Sequence, residues 1–245
     1  MTGRIRFFMI LFIGVAGFAY LLNQDRAQAQ PRYCDLALVL AMDASSSVDD
    51  REYALQMKGM ASALLDAEVQ EAIKSIGGLY LTAFEWNGQL KQKIIFDWIY
   101  VEGQKEALTL ATVLARHERN ATNFPTALGA ALGYAHRRFS RLPEPCARKV
   151  IDVAGDGHSN DGIKPKDVYA LYDFTGIQVN GLVIKDHFTS PETFYRDPET
   201  YYRDNVLKGA GALLELAHTF DDFEKAMKKK LLKEIVPGPI GQLAQ

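Results

Sequence analysis

Apolar and polar positions along this chain follow two periods in turn. Near-continuous apolar runs at residues 35–42 (DLALVLAM), 149–154 and 177–184 predict strands buried on both faces. Between them, apolar residues recur at helical intervals. Asp49 and Glu52 stand at a capping-box spacing, and Tyr53, Met57, Met60 and Leu64 follow, until Gly77-Gly78 breaks the pattern. Residues 79–86, the pair Asn87-Gly88 and residues 90–98 read as a strand, a hairpin turn and its return strand. Helices are expected over 104–117, 127–139 and 221–234, and a further one from Pro165, with a short strand over 212–216. Residues 187–208, rich in Tyr and Asp, keep neither period and read as an irregular insertion over the sheet edge. Residues 237–245, opening with Pro-Gly-Pro, read as a loose tail.

Strands alternating with helices predict an α/β fold. It is doubly wound, with a mostly parallel six-stranded sheet, one antiparallel edge strand and helices on both faces. In such sheets ligands bind beyond the carboxyl ends of the strands, where the strand order reverses. Residues 30–236 are expected to form this one domain.

The N-terminus adds a destination. Arg4 and Arg6 precede an apolar stretch over residues 7–22, and Ala27-Gln28-Ala29 offers small residues for cleavage. Residues 1–29 therefore read as a secretory signal peptide, and the mature protein as periplasmic or secreted. Apart from that segment no membrane partner is expected. With 28 basic against 30 acidic residues, bulk charge does not draw the protein to nucleic acid. Lys228 to Lys230, with Lys233, are expected on a solvated helix face. Export changes the reading of the two cysteines, which tend to pair in an oxidising compartment. Cys34 and Cys146 each precede a buried strand and lie about ten residues before Asp43 and Asp156. If those strands are parallel neighbours, both cysteines fall at the same end of the sheet, and a disulfide is expected.

The chemistry is carried by three loops. The first strand ends in Asp43-Ala44-Ser45-Ser46-Ser47, whose alternate positions can turn one carboxylate and two hydroxyls the same way. Thr126 stands at the start of a helix, and Asp156 directly follows a buried strand. These are hard oxygen donors, suited to Mg²⁺ and, by the same chemistry, to Mn²⁺ or Ca²⁺. Each has a plainer reading as well. Ser45, Ser47 and Thr126 could be helix caps, and Asp156-Gly157 a turn. His158 is expected in solvent, and Glu85, at the end of its strand, near a sheet edge, with a supporting place behind the site as its alternative.

Asp43-x-Ser45-x-Ser47, Thr126 and Asp156, in that order, resemble the metal-ion-dependent adhesion site (MIDAS) of von Willebrand factor type A domains. The resemblance runs from about residue 35 to 234. The wording DLALVLAMDASSSVDDREYALQ, TALGAAL, VIDVAGDG and YYRDNVLKGAGALLE is similar to a family of uncharacterised bacterial exported proteins, domain of unknown function 1194. It implies that Ser45, Ser47 and Thr126 touch the metal, and that Asp43 and Asp156 act mainly through water. It also implies that a protein partner completes the coordination with an acidic residue. Pro125 departs from the glycine many relatives place before the threonine. A competing resemblance is to haloacid-dehalogenase-like phosphatases, with GDGHSND as the acidic motif and Asp43 as nucleophile. Against it, Ser45 stands where that family carries a general-acid Asp, and Lys149 lies only seven residues before Asp156.

Overall fold

The computed structural model describes residues 33–120, 123–185 and 197–238. The segment expected to be a signal peptide, residues 1–29, and residues 239–245 of the expected tail lie outside them. In chain order the elements are β1 (Cys34–Asp43), α1 (Asp50–Leu65), α2 (Ala67–Ser75), β2 (Leu79–Trp86), β3 (Gln92–Val101), α3 (Gln104–Arg116) and α4 (Leu128–Arg138). They continue with β4 (Cys146–Gly155), α5 (Pro165–Leu171), β5 (Ile177–Ile184), α6 (Pro198–Asn205), β6 (Leu214–Ala217) and α7 (Phe223–Ile235). The six strands run in the order β3-β2-β1-β4-β5-β6, all parallel except β3, which pairs antiparallel with β2 at one edge.

Alternation along β1 divides the core. Leu36, Leu38, Leu40 and Met42 face α1, α2, α3 and α7, while Ala37, Val39 and Ala41 face α4, α5 and α6. Burying a leucine side chain fully stabilises the fold by roughly 1.5–3 kcal/mol, so the larger first face dominates cohesion. The strand order reverses between β1 and β4, which brings Asp43 and Asp156 to neighbouring strand ends. At the opposite end Cys34 and Cys146 are register partners and form the expected disulfide.

Several expectations change in detail. The first helical pattern is two helices, because Asp66 ends α1 and its side chain caps α2 through the Glu68 N–H. The hairpin turn is longer than Asn87-Gly88, closing with Asn87 N–H on Lys91 O and Lys91 N–H on Gly88 O. The segment read as irregular contains α6, whose start Asp197 caps through the Thr200 N–H, with Pro198 in the first turn. Its Tyr202 packs over the sheet beside β5 rather than past the edge. Residues 186–196 are outside the described set.

The lysine run is corrected as well. Lys230 is wholly buried, with Nζ 2.5 Å from both Asp152 Oδ1 and Glu234 Oε1. Asn180 donates to that same Glu234 oxygen at 2.7 Å. Lys229 and Lys233 pair with Glu215, and Lys228 with Asp66 and Glu68. Helix α7 is thus held by its lysines as well as by its apolar stripe.

Candidate metal centre

The site begins where β1 runs out of strand partners. Asp43 is wholly buried, and its Oδ1 accepts the Ser45 N–H at 2.7 Å, bending the chain into the loop. Ser45 is buried and Ser47 exposed, with their hydroxyls 3.2 Å apart. The Ser47 hydroxyl then donates to Asp156 Oδ1 at 2.8 Å, linking residues 109 apart in sequence. Four of the five candidate residues therefore form one hydrogen-bonded chain, from Asp43 through Ser45 and Ser47 to Asp156.

Thr126 joins through its backbone. Its N–H donates to Asn160 Oδ1 at 2.9 Å, and its carbonyl accepts the N–H groups of Asn160 and Asp161. Two residues earlier, Phe124 O accepts the Ser46 N–H at 2.8 Å. The Thr126 loop is thereby stitched to both other loops, and Pro125 is accommodated without loss of either bond. The capping alternatives do not hold. Helix α1 is capped by Asp49, with its full capping box to Glu52, and α4 by Ala127 without a side-chain bond.

Electrostatics favour a cation here. Asp43 Oδ2 is buried without a hydrogen-bond partner among the described residues. Burial, and after it the neighbouring Asp156 carboxylate, push the Asp43 carboxyl up to about 8. Two carboxylates sharing a dry site repel, and an interposed cation converts that repulsion into attraction. The donors are all oxygens, and three are neutral hydroxyls, which fits a hard divalent ion. Among the described residues no three His, Cys, Asp or Glu side chains gather as a metal cluster, so any cation here depends on the hydroxyls.

Arg119, which the sequence reading missed, holds the serine loop from the side. Its Nη2 donates to Ala44 O at 2.8 Å and Ser45 O at 2.7 Å, while Nη1 lies 3.3 Å from Asp50. Arg119 carries no motif signal, because its role is set by backbone carbonyls that any residues would supply. Glu85 is also corrected. It lies buried on the internal strand β2 and accepts from Tyr53 Oη, His117 Nε2 and the Asn120 N–H. His158 is half-buried and stacks on Tyr201, with ring centroids 4.4 Å apart.

The phosphatase arrangement loses its lysine. Lys149 is the register partner of Ala37, six residues before Asp43, so roughly 20 Å of strand separates it from that carboxylate.

Comparison with known proteins gives this geometry a setting. A family profile described as "Protein of unknown function (DUF1194)" matches residues 33–239. No curated protein matches the chain. Among solved structures, proximal thread matrix protein 1 from the mussel byssus is similar, at 16% identity and a TM-score of 0.60, over 83% of this chain and 49% of that one. A structure of the same protein with a zinc-occupied MIDAS motif aligns at 15% identity and 0.57, over 83% and 48%. A von Willebrand factor type A protein from Catenulispora acidiphila aligns at 13% identity and 0.57, over 83% and 43%. The pilus adhesin SpaC from Lactobacillus rhamnosus GG aligns at 13% identity and 0.57, over 84% and 32%. The chain spans half or less of the length of each of these proteins. At such identities the likeness establishes the fold, which is that of a von Willebrand factor type A domain.

Proposed function

The chain belongs to the DUF1194 family, and we propose that it is an exported, divalent-cation-dependent protein-binding module of the adhesion type. The single observation that carries this reading is the hydrogen-bonded chain from Asp43 to Asp156, closed by the Ser47–Asp156 bond at 2.8 Å. Ser45, Ser47 and Thr126 would hold the cation directly, and Asp43 and Asp156 through water. Mg²⁺ is the proposed ion, with Mn²⁺ and Ca²⁺ served by the same donors. The cation, when bound, supplies an electrophilic position for a carboxylate of the partner. The chain's own residues bend the loop, order the hydroxyls and keep both aspartates out of bulk water. The zinc-occupied MIDAS of the byssus protein and the adhesin SpaC support the reading by analogy of fold. Export is supported by the Cys34–Cys146 disulfide, a bond that persists in oxidising compartments. Residues 1–29 would be its signal peptide. Among the described residues no helix is long and apolar enough to cross a membrane.

Calorimetric titration of Mg²⁺ and Mn²⁺ into metal-free protein tests the site. Wild type should bind one ion, and Asp43→Ala with Thr126→Ala should abolish binding while the circular dichroism spectrum is kept. A double variant that binds like wild type would sink the assignment.

A further inference from the structure

Helix α6 inserts one side chain beneath the metal loops. Tyr202 is wholly buried, and its ring occupies a slot left by glycines on two neighbouring strands. A Cβ on Gly181 of β5 would stand 2.8 Å from the ring, and one on Gly155 of β4 would stand 2.4 Å from the hydroxyl. The same point beside Gly155 is 2.9 Å from Asp43 Oδ2 and 3.4 Å from Cζ2 of Trp86. The tyrosine hydroxyl, the second oxygen of Asp43 and the indole edge therefore converge on one small space.

None of these polar groups is used there. Tyr202 Oη, Asp43 Oδ2 and Trp86 Nε1 are all buried without a hydrogen-bond partner among the described residues. A protein rarely keeps buried donors idle beside a buried acceptor, and such groups point to a role in another state of the site. Asp43 Oδ1 is already held by the Ser45 N–H, which leaves Oδ2 as the carboxylate oxygen able to take a further side-chain donor. A donor on Oδ2 would fix the rotation of the carboxylate that faces the cation. Side chains that orient metal-binding groups in this way typically change metal affinity about 10–100-fold. Helix α6 also touches the neighbouring loop through Tyr201, stacked on His158.

We propose that Tyr202 is a positioning residue of the metal centre, donating its hydroxyl to Asp43 Oδ2 when the cation is bound. In this way helix α6 sets the affinity of the site. The proposal rests on the metal reading above.

The test compares wild type, Tyr202→Phe and Tyr201→Phe by Mn²⁺ calorimetry, by tyrosine ultraviolet difference spectra on Mn²⁺ addition, and by urea unfolding in chelator. Phenylalanine keeps the ring in its glycine slot and removes only the oxygen. Tyr202→Phe should bind Mn²⁺ about tenfold more weakly and lose the difference signal, with no loss of stability in chelator. Tyr201→Phe should bind as wild type does. Equal affinity of wild type and Tyr202→Phe overturns the assignment and leaves the metal site standing, whereas a wild type that binds no Mn²⁺ removes both. Weakening accompanied by lower stability in chelator, or shared equally by Tyr201→Phe, shows a general structural role and also overturns it.

Discussion

Lys230 of α7 and Asp152 of β4 meet at 2.5 Å in a space closed to solvent, and Glu234, one turn further along α7, approaches the same ammonium as closely. One cation thus serves two carboxylates. Removing one partner of a buried ion pair leaves an uncompensated charge, which costs about 3–5 kcal/mol. Lys230→Met should lower the unfolding free energy by that order, read as a lower urea midpoint with the dependence on denaturant unchanged. A loss under about 1 kcal/mol would show that Asp152 and Glu234 manage without the lysine.

The same cluster sets a pH dependence. Burial, then the nearby Glu234, pushes the Asp152 carboxyl up to about 7, while Lys230 opposes the shift. A carboxyl raised in the folded state binds protons that the unfolded chain releases. Its contribution to stability is therefore present at low pH and lost as pH rises through about 7. Asp43 is shifted in the same direction. In chelator, stability should fall between about pH 5 and 8, and Asp152→Asn should remove part of that slope. Urea unfolding across this range measures it, and a stability rising with pH would contradict the assignment.

Asp43→Asn separates binding from folding. It replaces a buried carboxyl whose ionisation beside Asp156 is costly by a neutral group of the same shape, so the melting temperature in chelator should equal or exceed that of wild type. Added Mn²⁺ should raise the wild-type melting temperature and leave the variant's unchanged, because a bound ligand stabilises only what it binds. An Asp43→Asn protein that melts earlier in chelator would mean the carboxylate is needed for the fold itself.

Reduction of Cys34–Cys146 opens a closed loop spanning 112 residues. Loss of a disulfide of this kind typically costs about 2–5 kcal/mol. Unfolding with and without dithiothreitol, and of Cys34→Ser with Cys146→Ser, should show the same decrement. Divergence of the two would place the effect in the substitutions rather than in the bond.

The alternating strands and the paired cysteines could be read from the chain because each follows from a local period or from the place of a residue before a strand, while the grouping of Asp43, Ser45 and Ser47 with Asp156 was implied by a family resemblance. What escaped depends on distant partners. The YYRDN stretch of α6 has few apolar residues, and its helix is held by the Asp197 cap and by Tyr202 in the slot at Gly155 and Gly181. Lys230 looks like any surface lysine until β4 and β5 bring Asp152 and Asn180 beneath it. Glu85 looks like an edge residue until Tyr53 and His117 converge on it from separate helical segments. Local patterning reports which face of an element is buried, but a buried polar group is explained only by the partner that reaches it.

The placement of the disulfide has a mechanical consequence. A tensile load applied between the Asp43 end of β1 and its Cys34 end would run lengthwise down the strand. The cysteine link at the foot of that strand passes part of the load to β4. Extracting β1 would then mean shearing the hydrogen bonds of two strands together, so the domain should resist pulling better oxidised than reduced.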